Sequence, residues 1–195
     1  QGSQYLGMGL DLAERYSVAA DTFREADEVM APLLGRPLTD YIRGLGDTEE
    51  DRFDALRATE ISQPATLTVD VAILRLLASF GVRPDVVAGH SLGEYGAAVA
   101  AGMLDFKDAL AAVSARGREM AAVNIPDFGK MAGIASSVET VESVLAEIPG
   151  YVVAANKNCP AQTVIAGDSV AVEAAIEAFK SRGIKCYTST EVTSD

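Results

Sequence analysis

"DVVAGHSLGEYGAAVAAG", residues 85–102, decides how this chain folds. It reads as a short apolar strand, a tight turn carrying Ser91, and a helix of very small residues. Gly89-His90-Ser91-Leu92-Gly93 fits G-x-S-x-G, and a strand before it with a helix after it is the setting of a nucleophile elbow. Glycine lets the backbone turn sharply and lets a helix approach closely. Ser91 then lies at a helix N-terminus, with the Leu92 N–H aimed where an oxyanion would develop. The same letters allow a plainer reading, in which Ser91 is the N-cap of a buried helix.

A serine nucleophile needs a base. The sequence holds one histidine, His90, directly beside Ser91. Consecutive strand residues point to opposite faces, so His90 is expected to pack or hydrogen-bond beneath the elbow rather than meet the Ser91 hydroxyl. No Ser-x-x-Lys is present, and the base is expected beyond residue 195. The next residue of interest is Arg116, in "AAVSARGREMAAV" at 111–123, with Arg118 pointing elsewhere on the same helix. Either both arginines face solvent, or Arg116 is half-buried among Ala, Val and Met and needs an anionic partner. A substrate carboxylate would suit it, because guanidinium binds carboxylate through two parallel hydrogen bonds.

Outward from the elbow, "ISQPATLTVDVAILRLLASFG" at 61–81 predicts a long helix with Pro64 in its first turn. Leu67, Val71, Leu74 and Leu77 form the apolar stripe, and Ile73, Leu76 and Phe80 widen it. Residues 10–30 are helical, with a break and cap near Ser17 or Asp21. The acidic run 47–51 suits a helix start. Helices follow over 92–102 and from Asp105 to Val123. From residue 128 strands and helices alternate as βαββαβ, the ferredoxin-like pattern. The fold class is therefore α/β. Residues 1–127 make an incomplete α/β-hydrolase-like large subdomain, with more of its sheet expected from outside the chain. Residues 128–195 make the ferredoxin-like small subdomain.

The 195 residues carry a net charge of −12, which argues against nucleic acid and against an anionic membrane surface. Apolar stretches are broken before the roughly 20 residues a membrane span needs. No signal peptide is visible. Cys159 and Cys186 have no metal-type spacing; with a single histidine, no metal site is expected, and two free thiols suit a reducing cytoplasm. The chain opens on "QGSQYLGMG" without Met and stops at "STEVTSD", which reads as a piece of something longer.

Four features, in order along the whole chain, carry a resemblance: "QGSQ" at 1–4, "ISQPA" at 61–65, "GHSLGEY" at 89–95 and "RG" at 116–117. "ANKNCPAQTVIAG" at 155–167 adds to them. The sequence resembles the acyl-CoA:acyl-carrier-protein transacylases, namely malonyl-CoA transacylase and the acyltransferase domains of polyketide and polyunsaturated fatty acid synthases. The resemblance implies that Ser91 is the nucleophile and holds the acyl group as an ester. It implies an oxyanion hole from the Leu92 and Gln1 N–H groups, and Arg116 as the site of a malonyl carboxylate. Gln63, His90, Asn156 and Asn158 match polar positions near the family's cleft. No bound cofactor is implied. The donor would be malonyl-CoA and the acceptor the phosphopantetheine thiol of an acyl carrier protein, in a cytoplasmic, ping-pong reaction beside other domains of the same synthase. With the family's histidine beyond residue 195, residues 1–195 alone are expected to turn over little. Two rival readings remain: an acyl-thioester hydrolase, against which Arg116 argues, and a non-catalytic module of a megasynthase.

Overall fold

The computed structural model describes residues 3–123 and 125–188. They form two compact units that divide after Val123.

The first unit has seven helices among its described residues: α1 Leu10–Arg15, α2 Ser17–Leu34, α3 Leu38–Arg43, α4 Glu49–Arg57, α5 Thr59–Ser79, α6 Gly93–Ala100 and α7 Phe106–Ala122. The break expected near residue 17 falls at Tyr16, whose extended backbone separates α1 from α2, so Ser17 begins a helix rather than capping one. The acidic run does start a helix. Thr48 Oγ accepts from the Asp51 N–H and the Asp51 carboxylate accepts from the Thr48 N–H, which together satisfy two orphan donors at the start of α4.

α5 is the centre of this unit. Leu67, Val71 and Ala72 are buried on it and share a core with Phe23, Met30, Leu110 and Val113 from α2 and α7. The buried face runs through Ala72 to Leu76, while Ile73, Leu77 and Phe80 are exposed, so the apolar stripe is narrower than its letters suggest. α5 begins at Thr59, which puts Pro64 in the second turn instead of the first. There Pro64 has no N–H to give the Glu60 carbonyl. By length and composition α5 could cross a membrane, contrary to the sequence expectation, but 56% of its most apolar window is buried inside the unit. It is a core helix.

The strand expected over 85–90 is not formed among the described residues of this unit. A strand exists through hydrogen bonds to a neighbour, and no described segment pairs with 85–90. Val86 is accordingly 86% exposed.

The second unit follows the expected order: β1 Lys130–Ile134, α8 Val138–Leu145, β2 Val152–Cys159, β3 Gln162–Gly167, α9 Ser169–Ser181 and β4 Cys186–Thr188. Its sheet runs β2-β3-β1-β4 with every neighbouring pair antiparallel. This is the ferredoxin-like arrangement, in which β3 lies between the parallel strands β1 and β2. Ala132 and Ala154 both sit opposite Ile165. They share the helix-covered face with Val141, Val172, Ile176 and Phe179.

The sequence places the division after residue 127, and the structure places it after Val123. Asp127 belongs with the second unit for a physical reason. Its carboxylate accepts from the Ser169 hydroxyl at 2.6 Å, the Ser169 N–H at 2.8 Å and the Gly129 N–H at 2.9 Å. Asp168, at the N-cap of α9, makes no side-chain cap bond, so Asp127 caps that helix from far upstream.

These bonds, the Ser169 hydroxyl first, hold the Asp127 carboxyl below the ordinary carboxylate range. A depressed carboxyl contributes stability above its unfolded-state value and loses it as pH falls through the folded-state value. The second unit should therefore weaken on acidification below about pH 4. Thermal melts from pH 5 to pH 2 should show this limb, and Asp127→Asn should flatten it.

Candidate active site

The elbow turns tightly. Ser91 has φ 54°, and it is the one non-glycine residue with positive φ among the described residues. Such a backbone costs on the order of 1–3 kcal/mol and persists where its surroundings enforce it. Gly89 is part of that enforcement, since a Cβ there would stand 2.1 Å from the Gly93 carbonyl oxygen. Leu92 is buried behind the turn while Ser91 is exposed.

The backbone donors around the turn can be traced one by one. Gly93 N–H donates to His90 O at 2.9 Å, Glu94 N–H to Ser91 O at 3.1 Å and Tyr95 N–H to Leu92 O at 3.1 Å. Ser91 N–H donates to Glu94 Oε1 at 3.2 Å. The Leu92 N–H donates to none of the described residues. It is the donor left over at the start of α6, and α6 has no side-chain cap. The Ser91 hydroxyl is thus not spent on capping.

The Ser91 hydroxyl meets Arg116 instead. From α7, Arg116 Nη2 donates to Ser91 Oγ at 3.1 Å, and Nη1 donates to Gln63 Oε1 at 2.7 Å. Gln63 is fully buried on α5. Its Nε2 donates to Met120 Sδ at 3.5 Å, one turn along α7 from Arg116. A thioether accepts and cannot donate, so this network sets the Gln63 amide with Oε1 toward the guanidinium. Gly117 lets the two helices meet. A Cβ there would lie 2.6 Å from Glu60 Cα and 2.7 Å from Thr59 O. Arg118 turns away and donates to Ser114 Oγ, as its position on the helix predicts.

Ser91, Leu92, Arg116 and Gln63 are therefore neighbours. His90 is not tucked beneath the elbow; it is exposed. The alternation of side chains that would have turned it under applies to a paired strand, and residues 87–90 form none. Gln1 lies outside the described residues. Asn156 and Asn158 are on β2 of the second unit, and Asn158 Nδ2 donates to Gln162 Oε1 across the β2–β3 hairpin at 3.0 Å. Sequence reasoning missed Glu94 and Met120. Glu94 had a signal, because Ser91-Leu92-Gly93-Glu94 is S-x-x-E, the spacing at which a glutamate reaches back to the first N–H of a helix. Met120 had none beyond lying four residues after Arg116.

Comparison with known proteins places this geometry in context. The family model for the acyl transferase domain matches residues 1–193. The malonyl CoA-acyl carrier protein transacylase of Bacillus subtilis is 41% identical over 99% of this chain, which covers 59% of that protein. Polyketide synthase GfsB of Streptomyces halstedii is 43% identical over 94% of this chain, which covers 3% of that much longer protein. Among solved structures, a malonyl-transacylase in complex with a type II polyketide synthase acyl-carrier protein superposes with a TM-score of 0.81 at 39% identity, over 96% of this chain and 59% of that one. The chain thus spans about three fifths of the length of the transacylases it matches.

Proposed function

The chain belongs to the acyl transferase domain family, and we propose that it is the nucleophile-bearing part of an acyltransferase that moves a malonyl-type group from CoA to an acyl carrier protein. One observation carries this reading. A single guanidinium, that of Arg116, bridges the hydroxyl of Ser91 and a buried glutamine. A cation held against a nucleophile suits a substrate with a carboxylate near the bond to be broken.

Ser91 Oγ attacks the thioester carbonyl. The Leu92 N–H stabilises the oxyanion, and Gln1 supplies the second donor that the family resemblance implies. The C–S bond breaks and CoA leaves as a thiolate, which needs little acid assistance because a free thiol has a pKa of about 8.5. The proton of Oγ goes to a base other than Arg116, since the guanidinium is already protonated and has no lone pair with which to accept it. The malonyl carboxylate takes the N–H groups of Arg116 that face Ser91, while Gln63 keeps Nη1. The phosphopantetheine thiol of the carrier protein then attacks the ester and restores the Ser91 hydroxyl. The family resemblance alone gives His90, Asn156 and Asn158 as polar positions near the family's cleft. No bound cofactor, metal, nucleic acid or membrane enters this reading.

The hydrolase reading gives Arg116 no role, because a monocarboxylic acyl group has lost its only carboxylate to the thioester. The deciding experiment is intact-mass analysis of the full-length protein mixed with equal malonyl-CoA and acetyl-CoA. A malonyl adduct that transfers to a carrier protein supports the transferase. Steady CoA release without a carrier supports the hydrolase, and no adduct at all supports a silent module.

Gln63 tests the aim of Arg116. Removing a hydrogen bond to a charged group costs about 1.5–3 kcal/mol. Gln63→Leu should therefore raise the half-saturating malonyl-CoA concentration of acylation by roughly ten- to a hundredfold, with acetyl-CoA affected far less. Stopped-flow acylation with the two donors measures the difference.

A further inference from the structure

We propose that Glu94 is a positioning residue for the nucleophile, holding the Ser91 N–H so that the Leu92 N–H alone is left to meet the substrate. The proposal rests on the reading of Ser91 as the nucleophile.

Ser91 sits at φ 54° without the freedom of glycine, on a short segment that pairs with no described strand. Something has to hold it. The Ser91 N–H would otherwise be unpaired at the start of α6, where donors face outward. Glu94 Oε1 accepts it at 3.2 Å. The bond has the sense of the glutamate half of a capping box, set one residue before the Leu92 N-cap of α6. In the full box the serine hydroxyl would accept from the Glu94 N–H. Here the Glu94 N–H donates to the Ser91 carbonyl, and the hydroxyl is with Arg116. The half that would occupy the nucleophile is absent, and the half that anchors its backbone is present.

The chemistry follows from the count of donors. Of the N–H groups from Ser91 to Tyr95, four have acceptors within the turn and helix. Releasing Ser91 N–H would do two things. It would loosen the φ that aims Oγ, and it would place a second, misdirected donor beside the oxyanion position. Both raise the barrier of acylation without touching the carboxylate site at Arg116, so the effect belongs to the chemical step rather than to binding. Glu94 itself touches neither substrate nor Oγ in this account.

The test compares Glu94→Ala with Glu94→Gln in the full-length protein. Glutamine keeps an Oε1 acceptor and loses only the charge. Glu94→Ala should lower the maximal acylation rate about tenfold at an unchanged half-saturating malonyl-CoA concentration, in line with the loss of one hydrogen bond to a charged group. Glu94→Gln should recover to within about twofold of the parent. Equal impairment of both variants would overturn the proposal, as would an unimpaired alanine variant. Amide hydrogen exchange at Ser91 supplies a reading that needs no acyl donor. Its protection should be lost in Glu94→Ala and kept in Glu94→Gln, and the same protection in all three proteins would also overturn the proposal. Failure of the parent protein to acylate Ser91 at all would instead count against the functional reading, while the exchange result would still decide the role of Glu94.

Discussion

Ser91→Ala should leave the full-length protein without any acyl adduct from malonyl-CoA, and should reduce turnover by about 10⁴-fold or more. The expectation comes from the division of labour at the elbow. Every other group near Ser91 that the structure brings forward can bind or polarise, but none can form the ester. Arg116 is a donor only. In the proposed reaction the Leu92 N–H would stabilise charge only once a carbonyl oxygen had begun to carry it, and without attack there is no such charge. Alanine fits the space that serine occupies, yet it keeps the positive φ with one fewer polar atom, so folding should change little. Intact mass of the parent and the variant, each with the same excess of malonyl-CoA, reads the outcome directly. An adduct of undiminished amount on Ser91→Ala would move the nucleophile elsewhere and would return Ser91 to a part in backbone geometry.

Arg116→Ala should have the second largest effect, and it should change preference as well as rate. Arg116 is half-buried, and truncating one partner of a hydrogen-bonded charge pair that the bound acyl group closes off from water costs about 2–5 kcal/mol, which is roughly thirty- to several-thousand-fold in the efficiency of malonyl loading. Acetyl-CoA has no carboxylate to lose, so its loading should hold or improve. Competition between the two donors, followed by mass, should then switch from a malonyl adduct to an acetyl adduct. Arg116→Lys should fall between, because ammonium is a point charge without the planar fork that matches a carboxylate and reaches Gln63 at the same time. A malonyl preference that survived Arg116→Ala would place the carboxylate site on other residues.

How much of this was legible beforehand depended on whether the signal was local. The order and type of the second unit's described elements were legible, because its helices each close an apolar face within a few residues and β2 alternates along its first six residues. The elbow was legible as a motif. The strand expected over "DVVAGH" does not form among the described residues, because a strand is a relation between two segments and "DVVAGH" carries only one of them. The position of Pro64 was misjudged because the helix start at Thr59 is set by what packs around it, not by the proline. The pairing of Arg116 with Ser91 and Gln63 joins three helical or turn segments far apart in sequence, and spacing alone left Arg116 between solvent and substrate. Glu94 could have been read from S-x-x-E.

Gly117 has a bearing on redesign. Where two helices touch through their backbones at Thr59, Glu60 and Gly117, the distance between them cannot be tuned by trading one side chain for another. Arg116 and Gln63 stand within a turn of that contact, so their separation is inherited from it. A protein engineer seeking to admit bulkier acyl groups should leave this seam untouched and vary the residues that face the substrate from other segments. Laboratory evolution that samples position 117 should return glycine.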